Sequence, residues 1–211
     1  MNGDAKTSNQ TEPEYYRLFI AIRIPEQIQN ELAAIQVGLQ ARLPAASVTW
    51  TKPEQLHVTL KFLGNVPIGQ IEALKDQVGN ALKNCFPFEL RAQQVGAFPD
   101  TRSPRVLWTG LHDAQGTLAE IHQRIELAVS QFTPKEAHEK FHAHVTLGRV
   151  KHLKAQDRKM LFELLSKMSR QFFGEWRVQE IELMRSQLSS HGALHSCVSK
   201  FYLSAVSAAG L

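Results

Sequence analysis

Cysteine is scarce in this 211-residue sequence: Cys85 and Cys197 stand far apart and form no C-x-x-C pair. Two isolated thiols exclude a disulfide framework and a thiolate zinc site, and they fit a reducing compartment. No apolar run is long enough to span a bilayer. The first stretch (Asn2, Gly3, Asp4, Lys6, Ser8, Asn9, Gln10) is polar and lacks the apolar segment of a secretory signal. The expectation is a cytoplasmic protein with no membrane partner and a disordered tail over residues 1–15. Neither G-x-G-x-x-G nor G-x-x-x-x-G-K-[ST] occurs, which removes dinucleotide and P-loop enzymes. His112, His122, His138, His152, His191 and His195 are scattered without metal-ligand spacing such as H-E-x-x-H, so no metal is expected and these side chains are assigned to the surface. The charge excess is small, with 24 Lys and Arg against 20 Asp and Glu, and it is compatible with an anionic partner without requiring one. At 43% hydrophobic residues the chain can bury one substantial core, read as a single domain over residues 16–208.

Against these absences stands a repeat. The tetrapeptide HVTL occurs as His57-Val58-Thr59-Leu60 and again as His144-Val145-Thr146-Leu147. Val, Thr and Leu are ordinary strand residues, so a chance repeat is the bland explanation. The inclusion of histidine, in the same phase of the same kind of segment, weighs against chance. Read as strands, each copy turns its His and Thr to one face and its Val to the other. Two such strands across one cleft would surround a point with two imidazoles and two hydroxyls. That set suits proton transfer at a charged oxygen centre, and a phosphate ester is the natural candidate.

The remaining pattern is mixed. Arg17 to Ile24 alternates as a strand, and Pro25 with Glu26 opens a helix whose stripe is Ile28, Leu32, Ile35, Leu39 and Leu43, stopped at Pro44. Trp50 to Leu63 carries the first HVTL and ends at Gly64-Asn65, before a helix at Ile68, Ile71, Leu74, Val78 and Leu82. Phe86 to Phe98 and Arg105 to Leu111 read as a hairpin around a Pro-containing loop. A third helix follows at Leu118, Ile121, Ile125 and Val129, ended by Phe132-Thr133-Pro134, then the second HVTL and a helix over Met160 to Met168. Trp176 to Met184 and Cys197 to Val206 read as two last strands flanking a Ser/Gly/His-rich connection, Ser186 to Ser196. Hairpin-length links favour an α+β protein with antiparallel sheets, built as a diverged duplication whose halves face each other across a cleft.

These segments resemble the bacterial and archaeal RNA 2′,3′-cyclic phosphodiesterases, also called 2′-5′ RNA ligases, of the two-histidine (HxTx) phosphoesterase superfamily. The resemblance rests on RLFIAIRIP, LHVTLKFLG, AFPDTRSPRVLWTGL, FHAHVTLGRVK and the closing stretch from Ser186 through Gly192 into an apolar strand. It implies two pseudo-symmetric lobes, each an antiparallel sheet with helices on its outer face, around a groove that needs no metal or cofactor. It also implies hydrolysis of 2′,3′-cyclic phosphate RNA ends, tRNA fragments or cyclic nucleotides to 2′-phosphates, with reversible 2′-5′ ligation as the other direction. His57 is then the proton donor, His144 the proton acceptor, and Thr59 and Thr146 the donors to the phosphate oxygens. Arg149, five residues past His144, is the candidate for a further contact to phosphate or nucleotide, with a plain surface arginine as the alternative. Phe62 and Phe141, beside the motifs, are weighed as rings on which a base would stack, but aromatic residues beside a strand are more often core, and both are assigned to the core. Ala143 stands where the family commonly has Pro, and His195 where it often has Tyr. A metal-dependent hydrolase is the rival among enzymes, weakened because neither motif contains a carboxylate. A non-catalytic module that holds RNA ends is the rival outside them. The chain is expected to act as a monomer.

Overall fold

The computed structural model describes residues 14–133, 141–189 and 192–204. Most of the expected tail, with His138 and His191, lies outside them, as do the last residues expected in the final strand. Nine strands form a single antiparallel sheet: β1 (Tyr15–Arg23), β2 (Val48–Trp50), β3 (His57–Pro67), β4 (Phe88–Phe98), β5 (Val106–His112), β6 (His144–Val150), β7 (Phe172–Val178), β8 (Glu180–Ser189) and β9 (Gly192–Tyr202). Four helices cover it: α1 (Glu26–Gln40), α2 (Ile71–Ala81), α3 (Thr117–Ala128) and α4 (Ala155–Lys167). The order is β7-β4-β5-β6-β3-β1-β8-β9, with β2 pairing with β6 beside this path.

The order divides into two lobes, β7-β4-β5-β6 and β3-β1-β8-β9, and the two HVTL strands are where they meet. Their contact is one antiparallel pair, Val58 opposite Val145, both fully buried. Among the described residues every other strand pairing lies within a lobe or seats β2, which takes the far end of β6 from Val48–Val150 to Trp50–Gly148. Gly148 permits that approach, because a Cβ there would sit 2.7 Å from Val48 Cγ1 and 3.2 Å from the Thr49 carbonyl oxygen.

The helices knit the lobes together. The stripe of α1 buries Ile28, Leu32 and Leu39, and the helix packs against β7 of the other lobe from the strand that precedes it. In the same way α3, which follows β5, packs against β3 and against α2. Lys61 on β3 reaches Glu126 of α3 at 2.6 Å. Gln36 interrupts the apolar stripe of α1 and is 4% exposed; its amide nitrogen donates to the carbonyls of Thr51 and Leu147, each at 2.7 Å. A buried amide is stable only when so satisfied, and here it straps the helix to the second motif.

The structure corrects several boundaries. Trp176 to Met184 is two strands in different lobes: β7 pairs with β4 and β8 with β1. Trp176 and Val178 are buried in β7 and Ile181 and Leu183 in β8, so the alternation shifts by one residue across Gln179-Glu180, and that single change of phase is the only local mark of the change of lobe. The Ser186–Ser196 connection is the end of a long hairpin, with Ser186 opposite His195 and Leu188 opposite Ala193. Its composition, rich in Ser, Gly and His with few apolar residues, conceals the strand signal. β3 continues past Gly64-Asn65 to Pro67, where Gly64 takes a φ of +71° opposite Leu18. The first helix ends at Gln40, and the residues before Pro44 turn away from it.

Candidate active site

In both motifs the side chains alternate as the period-two reading requires: Val58, Leu60, Val145 and Leu147 are buried, and His57, Thr59, His144 and Thr146 are partly open. Antiparallel order about the Val58–Val145 pair puts Thr146 opposite His57 and Thr59 opposite His144. All four side chains share one face at the junction of the lobes.

Each imidazole is held in the same way. His57 Nδ1 lies 2.7 Å from the Gln55 carbonyl oxygen, and His144 Nδ1 lies 2.7 Å from that of His142. A carbonyl oxygen can only accept, so Nδ1 carries the hydrogen in both rings. The Nε2 atoms are left as the proton-exchanging positions. Behind each ring stands a phenylalanine: Phe19 at 5.0 Å from His57 and Phe98 at 5.0 Å from His144, centre to centre. Phe98 is in turn stacked on Trp108.

Burial pushes His57 down to about 4, and the nearby positive charge that His195 or His144 would carry acts in the same direction. Burial also holds His144 below the ordinary histidine value, with His142 and Arg149 adding to the effect. Both rings are therefore neutral in the free protein near pH 7. An anion placed between them would favour the charged form and raise both values.

A second element of symmetry lies in the strands. In β3 the register against β1 slips at Leu60, where Ile20 faces Lys61 and Ala21 faces Thr59. In β6 the register against β5 slips at Leu147, where Leu107 faces Gly148 and Trp108 faces Thr146. Each HVTL motif thus carries a β-bulge at its leucine, and a bulge reverses the alternation beyond it. The residues re-aimed onto the His/Thr face are Phe62 and Arg149, each five positions past its histidine. Phe62 is 64% exposed with its ring 6.1 Å from Phe19, and Arg149 is exposed. The structure therefore puts Arg149 at the cleft and corrects the core assignment of Phe62. Plain strand alternation could not place either residue on this face. Phe141 does pack against the core, with its ring 3.9 Å from that of His122.

One residue assigned to the surface belongs here. His195 on β9 sits edge-on to His57 at 5.3 Å and to Phe19 at 4.9 Å. No spacing in the sequence links His195 to either motif; only the return of the β8–β9 hairpin over the sheet brings it in. Beside these rings a pocket is lined by Arg23, Lys52, Glu54, Gln55, Glu182 and Met184 among others. Glu182, 1% exposed, accepts from Arg23 Nε and Nη2 at 3.2 and 3.0 Å and pairs with Lys200 at 3.3 Å, so a buried carboxylate fixes the Arg23 fork at the pocket wall. Among the described residues no three His, Cys, Asp or Glu side chains gather as a metal site, and no helix is long and apolar enough to cross a membrane.

The chain is similar to known proteins over most of its length. The family model described as LigT-like phosphoesterase matches residues 22–108 and 111–195, one match for each lobe motif. The chain is 37% identical over 157 residues to the RNA 2′,3′-cyclic phosphodiesterase of Aquifex aeolicus, covering 73% of this chain and 81% of that one. It is 30% identical over 189 residues to the enzyme of the same name from Methanothermobacter thermautotrophicus, covering 89% and 98%. A crystal structure of a Thermus thermophilus protein superposes with a TM-score of 0.73 at 26% identity, covering 89% of this chain and 97% of that one. Escherichia coli LigT in complex with 3′-AMP superposes at 0.72 and 20% identity, covering 91% and 100%, a likeness of fold.

Proposed function

Because the chain belongs to the LigT-like phosphoesterase family, we propose that it is a metal-independent RNA 2′,3′-cyclic phosphodiesterase that opens cyclic ends to 2′-phosphates. The observation that carries this reading is the antiparallel pairing at Val58–Val145, with both Nδ1 hydrogens committed to backbone carbonyls.

A 2′,3′-cyclic phosphate is strained and already activated. Opening it takes a base for water, an acid for the departing oxygen and donors for the charge on phosphorus. His144 Nε2 accepts a proton from water as the new P–O bond forms. His57 Nε2 gives a proton to the 3′ oxygen as the P–O3′ bond breaks. Thr59 and Thr146 donate to the non-bridging oxygens. His57 acquires its proton only once the phosphate charge offsets its burial, so proton and substrate enter the site together. Run backwards with a 5′-hydroxyl in place of water, the same groups exchange roles and give a 2′-5′ linkage. Phe62 offers a ring for a base, and Arg149 a fork for phosphate. RNA ends, tRNA fragments and cyclic nucleotides are the substrate class, handled by a cytoplasmic monomer.

The test is product analysis of a short RNA ending in 2′,3′-cyclic phosphate, incubated in excess chelator with the wild type, His57→Ala and His144→Ala. The expected result is a 2′-phosphate from the wild type and none from either variant. Turnover lost in chelator would favour a metal-dependent hydrolase. Tight binding without turnover would favour a module that only holds RNA ends.

A further inference from the structure

We propose that His195 is a positioning residue for His57: with Phe19 it closes a cluster of three rings, screens the His57 imidazole from water and sets the pH at which that ring takes up its proton. The three centres stand 5.0, 5.3 and 4.9 Å apart, so each ring touches the other two. Phe19 is almost fully buried and forms the floor. His195 comes from the opposite side, from the last strand of the sheet, and lines the adjoining pocket together with His57.

The placement is built. β9 is separated from β3 by β8 and β1 in the sheet order, about three strand spacings of roughly 4.8 Å each in a flat sheet. A ring-to-ring distance of 5.3 Å requires the β8–β9 hairpin to curl back over the sheet face. Gln55 fastens it there: its side-chain amide donates to the carbonyl of Ala193, two residues before His195. The main-chain carbonyl of that same Gln55 accepts the Nδ1 hydrogen of His57. One residue thus fixes both the orientation of His57 and the start of the segment that covers it. His144 has Phe98 behind it, and among the described residues no imidazole packs on its ring. The two proton-exchanging groups are alike in hydrogen bonding and unlike in cover.

The charged and titratable groups facing the cluster are Arg23 on β1, Lys52 and Glu54 ahead of β3, Glu182 on β8 and His144 on β6. Arg23 is already tied to Glu182. Burial accounts for most of the depression of His57, and burial also holds His195 itself below the ordinary value, so His195 acts as a neutral cover near pH 7.

The experiment is a proton NMR titration of the imidazole resonances in the full chain, wild type, His195→Ala and His195→Phe. Opening the cover in His195→Ala should raise the His57 midpoint by about one pH unit or more, a tenfold gain in proton affinity, because desolvation is what opposes the charge. His195→Phe keeps a ring in place but removes the charge that His195 would carry, so it should raise the His57 midpoint by less than His195→Ala does. An unchanged midpoint in His195→Ala overturns the assignment, as does an equal shift in His195→Phe or a parallel shift of His144. A second readout rests on the proposed function: the acid limb of kcat/KM on a cyclic-phosphate RNA end should move towards neutral pH in His195→Ala. If the wild type turns over no RNA, that reading fails while the titration still decides the role of His195.

Discussion

Val58 and Val145 face each other at the one point where, among the described residues, the two lobes of the sheet are paired, and each is flanked by a histidine and a threonine turned to the opposite face. The packing of the core and the spacing of the site are therefore set by the same two side chains. Val58→Ala and Val145→Ala should each cost about 2 kcal/mol, from lost transfer energy and a residual cavity. Because the residues touch, the double variant should depart from the sum of the two singles. Denaturant unfolding of the four proteins checks both statements.

Gln36→Leu should destabilise the protein by about 2 kcal/mol, because the carbonyls of Thr51 and Leu147 lose their shared donor inside the protein. Leu147 belongs to the second motif, so kcat should fall as well although Gln36 touches no substrate. Unfolding curves and steady-state kinetics on the same preparation measure the two effects. A loss of stability with full kcat would show that the strap does not position the site.

The buried imidazole of His57 predicts a pH dependence of stability. Its folded value of about 4 lies below the ordinary 6.5, so the unfolded chain binds more protons between those limits. Stability is then full above about pH 6.5, falls as the pH drops, and levels off below about pH 4. The span corresponds to about 3 kcal/mol. His57→Gln removes this contribution, and urea midpoints recorded across pH 4–7 should fall less steeply in that variant than in the wild type.

Phe62→Ala should leave stability within about 0.5 kcal/mol of the wild type, since the ring is 64% exposed. Stacking of a base on an aromatic ring contributes about 1–3 kcal/mol, so KM for an RNA end should rise several-fold or more. Arg149→Gln should weaken binding and flatten its salt dependence by about one counterion. Titrations at several salt concentrations separate the two effects: a salt slope altered by Phe62→Ala, or untouched by Arg149→Gln, would contradict these roles.

What the sequence revealed and concealed follows from the range of the forces involved. The two motifs were legible because strand alternation is local, and His57, Thr59, His144 and Thr146 fall on one face by counting alone. The stripe of α1 was legible for the same reason. Phe62 was misassigned because a bulge changes phase through pairing with another strand, and nothing in LHVTLKFLG marks the slip at Leu60. His195 was missed because its approach to His57 depends on the fold of a distant hairpin and on one hydrogen bond from Gln55. The division of Trp176 to Met184 between lobes is marked only by a one-residue change of phase at Gln179-Glu180, which a bulge within one strand would also produce.

The central claim is that His57 and His144 act as one proton-transfer unit. It is tested most directly by a double-substitution cycle, measuring single-turnover opening of a 2′,3′-cyclic phosphate RNA end by the wild type, His57→Ala, His144→Ala and the double variant. Groups acting as a unit give losses that do not multiply. Each single substitution should slow the reaction by about 10²–10⁴-fold, and the double should be no slower than the worse single. Losses that multiply, or a single variant that keeps wild-type speed, would contradict the account.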